Sequence, residues 1–239
     1  MALSRCIILL VKYPEKGKVK TRLSAELGDE TTQHLYKCFV SDLIGTLEQK
    51  RYTFKIAFYP PGSDKKIIPW LGSEHSYITQ VGRDLGERME NAFKRTFLEG
   101  VKEVLVIGTD IPALTPPLIN KALTALKKND AVIGPCYDGG YYLIGFRKEM
   151  FLPDVFKGIQ WSTEEVFKDT MEIFTRKGYR VCVLPKLRDV DRIEDLRNFY
   201  KESKKKRGKY SETLLYLSSI EDVLGCENKF INNCIENKK

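Results

Sequence analysis

The chain alternates short apolar runs with segments whose apolar residues recur at helical spacing. Arg5-Cys-Ile-Ile-Leu-Leu-Val11 is almost wholly apolar, which predicts a strand buried on both faces. Thr53–Tyr59, Glu103–Gly108, Ala131–Gly134 and Tyr179–Leu184 repeat that pattern, and Ser76–Val81 and Tyr141–Phe146 are shorter candidates. Pro60, Pro61 and Gly62 close the second of these strands.

Helical patterns fall between the strands. Asp29 is placed to cap a helix carrying Leu35, Tyr36, Phe39, Val40, Leu43 and Leu47 on one face. Gly82-Arg-Asp-Leu-Gly86 opens a second, with Leu85, Met89, Ala92, Phe93 and Phe97. Thr115-Pro116-Pro117 starts a third, because proline at the first helical positions lacks only an N–H that has no partner there. Ser162-Thr-Glu-Glu165 has the capping-box pattern ahead of Val166, Phe167, Thr170, Ile173 and Phe174. Asp191 to Tyr200 predicts a short helix.

This β-α-β-α order predicts an α/β protein: a mostly parallel sheet with helices on both faces, a three-layer sandwich. The division expected is a body at 1–200 and an extension at 201–239. In the extension, 201–209 is basic and reads as a linker. Leu214, Leu217, Ile220 and Leu224 then mark an amphipathic helix ended by Gly225, and Phe230, Ile231, Cys234 and Ile235 suggest another. Such helices would cover a sheet edge or form a homodimer contact.

Composition narrows the class. A chain of 239 residues that is 42% hydrophobic and 30% charged is globular, not disordered or collagenous. Its longest apolar run, Cys6 to Val11, is far short of the roughly 20 residues that span a bilayer. Charged Lys12, Glu15 and Lys16 follow that run without a small-residue cleavage site, so a cytoplasmic protein with reduced thiols is expected. Six scattered cysteines with no CxxC, and only two histidines, give poor support for a zinc site.

The net charge of +8 alone suggests anionic ligands only weakly, but its placement is informative. Four loops after strands are candidates, because open α/β sheets bind ligands beyond the carboxyl ends of their strands. In the first, Lys12, Lys16, Lys18, Lys20 and Arg22 surround Gly17, a mixture suited to polyphosphate. It is neither a Walker A loop nor a G-x-G-x-x-G fingerprint, and a solvated basic turn is the competing reading. In the second, Asp110 of Gly108-Thr-Asp-Ile-Pro112 is placed to hold Mg2+ or, alternatively, to accept hydrogen bonds in a turn. The third, Asp138-Gly139-Gly140-Tyr141-Tyr142, is a ligand-approach loop or a hairpin turn. In the fourth, Arg188-Asp189-Val190-Asp191, Asp189 could join Asp110 in a two-carboxylate magnesium site, and Asp191 with Glu194 could be a helix cap. Trp161 begins a helix lead-in and could stack on a base or sugar. The Lys204–Arg207 run lacks the interleaved aromatics of a single-strand platform, which disfavours nucleic acid.

Taken in order, Lys-x-Pro-x-x-Gly-x-Val-Lys-Thr-Arg-Leu, Gly-x-Asp-Leu-Gly-Glu-Arg-Met, Gly-x-Asp-x-Pro-x-Leu-Thr, Asp-Gly-Gly-Tyr-Tyr, Trp-Ser-Thr and Leu-Arg-Asp-Val-Asp resemble the glycosyltransferase-like family of the nucleotide-diphospho-sugar transferases. These have the GT-A fold, and members are described as associated with radical-SAM or selenium-domain proteins. The resemblance covers about residues 5–200. It implies a nucleotide-binding α/β/α sandwich with Mg2+ or Mn2+. It places the catalytic charges at Lys20, Arg22 and Asp110, with nucleotide contacts at Lys12, Lys16, Gly17, Lys18, Arg83 and Asp84. It puts the metal at Asp110, Asp189 and Asp191, and in the transferase reading Asp138, Gly139, Gly140, Tyr141 and Trp161 would face the acceptor. The last pair resembles the late Asp-x-Asp of nucleotidyltransferases, although Arg192-Ile193 stands where those have Thr-Pro. Glycosyl transfer from a nucleotide-sugar to a small acceptor is the leading implication. Nucleotidyl transfer with release of pyrophosphate, of the phospholactate guanylyltransferase or a cytidylyltransferase type, is the alternative, and a non-catalytic nucleotide binder is the third.

Overall fold

The computed structural model describes residues 4–50, 52–205 and 211–224. Seven strands form one sheet: β1 (Arg5–Lys12), β2 (Phe54–Tyr59), β3 (Tyr77–Thr79), β4 (Glu103–Ile107), β5 (Ala131–Pro135), β6 (Tyr141–Arg147) and β7 (Val181–Val183). Their spatial order is β3-β2-β1-β4-β6-β5-β7, and only β6 runs against its neighbours. The carboxyl ends of the other six therefore share one edge.

Among the described residues, eight α-helices surround the sheet: α1 (Thr21–Leu27), α2 (Asp29–Gln49), α3 (Asp64–Leu71), α4 (Leu85–Leu98), α5 (Pro116–Ala125), α6 (Val166–Arg176), α7 (Ile193–Lys205) and α8 (Glu212–Ser219). Alternate side chains of a strand point to opposite faces, and β1 shows the consequence. Ile7, Leu9 and Val11 pack with α2, α3 and α5, whereas Cys6 and Ile8 pack with α4 and α6. Both faces are covered, which is why the strands read as continuous apolar runs.

The structure differs from the sequence reading at several boundaries. Thr21–Leu27, expected within a loop, is helical, and Gly28 rather than Asp29 occupies the cap position of α2. The capping box at Ser162–Glu165 does not form: α6 starts after Glu165 with no side-chain cap, and Ser162 adopts φ 69°. Residues 201–205, expected in the linker, continue α7. Helix α8 holds Leu214, Leu217 and the turn to Leu224 against Leu23, Leu35, Phe39 and Leu196, a third cluster outside the sheet layers. It covers α2. Gly225 and the helix expected around Phe230 to Ile235 lie outside the described residues.

Candidate active site at the carboxyl edge

Lys20 is the centre of the site. It adopts left-handed φ 48°, ψ 48° immediately before α1, a conformation that costs a non-glycine residue about 1–3 kcal/mol. Its side chain is 4% exposed. Its ammonium lies 2.7 Å from Asp110 Oδ1 and 3.2 Å from Asp191 Oδ1. Burial alone would pull the lysine pKa down. The two carboxylates outweigh it and hold the group protonated, above its ordinary value. Arg22 reaches the other oxygen of Asp191 at 3.4 Å from the exposed side.

Two strand ends deliver these acids. Asp110 follows β4, and its carbonyl accepts from Val190 N–H at 3.0 Å, tying the loop after β4 to the segment after β7. Asp189 lies in that segment. Burial first, then the nearby Asp138 and Asp191 carboxylates, push its pKa up to about 6, with Lys20 opposing. Two carboxylates, Asp110 and Asp191, thus contact Lys20, and Asp189 and Asp138 lie close enough to interact with one another beside them. An all-oxygen donor set with uncompensated negative charge suits Mg2+ or Mn2+. Asp110 and Asp191 already converge on a cation. Among the described residues, the site acids do not bring three ligand atoms within 4.8 Å of one another; only Glu48, Glu74 and His75 do, beside the opposite edge of the sheet.

The basic loop after β1 is organised by its own charges. Lys12 Nζ donates to Lys18 O at 2.6 Å, Lys16 pairs with Glu30 at 2.6 Å and Lys18 with Glu15 at 2.7 Å. Lys16 and Lys18 are largely exposed, so these pairs are cheap to exchange for a phosphate. Gly17 turns the loop at φ 73°. Asp84 caps α4 by accepting from Glu87 N–H at 2.8 Å, and Arg83 is engaged with Glu87. Both stand on the same edge, after β3, with an evident structural task.

The loop between β5 and β6 is the hairpin that its sequence allowed. Asp138 Oδ1 accepts from Gly140 N–H at 2.9 Å, and Cys136 N–H donates to Gly140 O. The close approach at Gly139 is to the protein itself: a Cβ there would overlap the Glu164 carbonyl oxygen. The Tyr141 hydroxyl is buried without a hydrogen-bond partner among the described residues, and its ring meets Trp161 edge-on at 6.3 Å. Trp161 also lies over Gly86 at the start of α4, where a Cβ would overlap the indole. Tyr141 and Trp161 therefore knit α4 to the hairpin.

Sequence reasoning missed Tyr36 and Thr109. The Tyr36 hydroxyl accepts from Lys12 N–H at 3.0 Å and lies 3.2 Å from Thr109 Oγ1, joining the ends of β1 and β4 under the site. Its helical spacing marked it only as core. Burial pushes its phenol up to about 12.

The open α/β/α sheet, with acids and a buried lysine at its carboxyl edge, has the fold of a nucleotide-diphospho-sugar transferase type of protein. Over 94% of its length the chain superposes on 98% of a Desulfovibrio desulfuricans G20 protein, provisionally named a nucleotide-diphospho-sugar transferase, with TM-score 0.90 and 40% identity. The chain belongs to the family described as "Uncharacterized protein conserved in bacteria (DUF2064)", which matches residues 44–163. It is also 25% identical, over 75% of its length and 76% of the relative's, to the 2-phospho-L-lactate guanylyltransferase of Methanocaldococcus jannaschii. The manganese complex of Rv0371c from Mycobacterium tuberculosis H37Rv shares the fold at TM-score 0.51 and 12% identity, covering 83% of this chain and 98% of that one.

Proposed function

We propose that this protein is a metal-dependent nucleotidyltransferase that passes a nucleoside monophosphate from a triphosphate to a small acceptor. Its class is nucleotide-dependent transferase. The observation that carries the reading is Lys20, buried and held protonated between Asp110 and Asp191 at the carboxyl edge. The guanylyltransferase relative supports nucleotidyl over glycosyl transfer.

In the reaction, an acceptor oxygen forms a bond to the α-phosphorus. The bond from that phosphorus to the bridging oxygen breaks, pyrophosphate leaves, and the acceptor's proton passes to solvent. Asp110 and Asp191, with Asp189, would hold Mg2+ or Mn2+, which when bound neutralises phosphate charge. Lys16 and Lys18, on the exposed loop, attract the polyphosphate. Lys20 and Arg22 place fixed positive charge where charge builds on the leaving group. Such preorganised charge dominates phosphoryl chemistry. Asp138 and Trp161 border the acceptor side.

Glycosyl transfer from a nucleotide-sugar is the second reading, favoured by the provisional name of the 40% identical relative. There a nucleoside diphosphate leaves instead. A melting screen separates the two, with Mn2+ and either the four nucleoside triphosphates or UDP-, GDP- and dTDP-sugars. Ligand at 100 times its dissociation constant stabilises by about 2.7 kcal/mol. A metal-dependent shift with a triphosphate, followed by pyrophosphate release, supports nucleotidyl transfer. A shift confined to a nucleotide-sugar supports the second reading, and no shift with either group contradicts both.

A further inference from the structure

We infer that Tyr137, Lys186 and Arg188 form an anion-binding site for the acceptor, so that the acceptor carries a carboxylate or phosphate group besides its attacking hydroxyl. This rests on the transferase reading and names the class of its second substrate.

Tyr137 is a large aromatic kept 56% exposed at the carboxyl end of β5. Two cations share its ring: Lys186 Nζ lies 4.9 Å from the centroid and the Arg188 guanidinium carbon 4.7 Å. Backbone pairing fixes the arrangement. Tyr137 N–H donates to Leu187 O at 3.1 Å and Leu187 N–H to Pro135 O at 3.0 Å. The 135–137 segment and the 185–188 segment thus run together past the end of the sheet.

These charges are poorly spent on the protein. Among the described residues Lys186 has no carboxylate within ion-pair distance. Among the same residues, Arg188 has only Asp195, at 3.9 Å. Asp195 is itself committed to the start of α7, where it accepts from Arg192 N–H at 3.0 Å. An aromatic face raises the local density of cations but leaves their hydrogen-bond donors open. Two members of the cluster adjoin acids of the site in sequence: Tyr137 precedes Asp138 and Arg188 precedes Asp189.

Strand order sets this cluster apart from the start of the polyphosphate loop, at the end of β1. The order β1-β4-β6-β5 puts the strand carrying Tyr137 three strand spacings from β1, about 14 Å. The cations after β1 serve one substrate, and the pair beyond β5 and β7 faces a second. A neutral acceptor would have no use for an unpaired Lys186 and an Arg188 paired only at 3.9 Å beside the site acids. An anionic one is held by them and kept from the acids by repulsion, which orients its hydroxyl.

The test is a thermal-shift titration of the full chain at constant ionic strength, using glycerol 3-phosphate, glycerate and glycerol as probes. Each is repeated on the double variant Lys186→Gln, Arg188→Gln. The structure predicts saturable stabilisation by one or both anions and none by glycerol, with the apparent dissociation constant at least tenfold weaker in the double variant. Glycerol 3-phosphate acting alone assigns the site to phosphate, and glycerate alone to carboxylate. The charge-keeping exchange Lys186→Arg, Arg188→Lys should retain binding, which guards against a folding defect in the first variant. Equal effects of glycerol and the anions, or anion binding unchanged by the double variant, would overturn the proposal. Mn2+ with nucleoside triphosphates is titrated in parallel. Loss of that response with anion binding intact counts against the nucleotidyltransferase reading, not this site.

Discussion

The Lys20 ammonium sits 2.7 Å from the Asp110 carboxylate, although one residue follows β1 and the other follows β4. The parallel pairing of those strands brings their carboxyl ends together, and Asp191 closes the group from beyond β7. Replacing Lys20 by Met should therefore separate activity from stability. Turnover should fall by about 10²–10³-fold, the usual loss of one preorganised donor. The side chain removed is apolar along its stem, and Asp110 stays half exposed to water, so the fold should survive. Steady-state kinetics beside a melting curve checks this; a melting loss that accounts for the activity loss would make Lys20 structural.

Gly139 and Gly140 should behave differently. Gly139 has φ 90° and no room for a Cβ against Glu164, whereas at Gly140 the nearest atom is a flexible Asp138 oxygen at 3.3 Å. Gly139→Ala should cost at least about 1–3 kcal/mol, and Gly140→Ala clearly less. Urea denaturation of the two variants decides, with equal losses contradicting the close packing.

Helix α8 is part of the packed body. Leu217 is fully buried in the cluster on α2, and Leu215 is 54% exposed. Leu217→Ala should destabilise by about 2–5 kcal/mol, while Leu215→Ala should stay within about 0.5 kcal/mol. Matching small effects in denaturant melts would mean that α8 is not docked.

Alkaline pH should weaken the fold through two thiols. Burial pushes Cys6 and Cys38 up to about 11, while the unfolded chain ionises near 8.5. Between these values the folded state keeps protons that the unfolded state releases. Their contribution is whole below about pH 8.5 and is lost as pH rises through about 11. Cys6→Ala should flatten the decline of stability with pH in that window. An unchanged slope would refute the assignment.

The sequence made the sheet legible because both faces of its central strands are covered, so Cys6–Val11 and Val104–Ile107 appear as unbroken apolar runs. It also put Asp110 and Asp189 at strand ends. Helix α3, the roles of Tyr36 and Thr109, and three further features escaped it. The left-handed turn at Lys20 has no glycine to announce it, so α1 behind it was hidden in a basic loop. Ser162–Glu165 had the right letters for a cap, but the Gly139 carbonyl takes the N–H of Phe167 at 2.8 Å, and tertiary contact overrides the local motif. The Tyr137 cluster joins residues distant in sequence through a β-bridge between Cys136 and Leu187 that no periodicity marks.

The most direct test of the central claim is Mn2+-dependent nucleotide binding by wild-type protein and the Asp110→Asn variant. Titration calorimetry with each nucleoside triphosphate, with and without Mn2+, would read it. The account predicts that at least one triphosphate binds, that Mn2+ strengthens binding, and that Asp110→Asn removes most of the metal-dependent gain while the melting temperature stays near wild type. Triphosphate binding that is indifferent to both Mn2+ and Asp110 would contradict it.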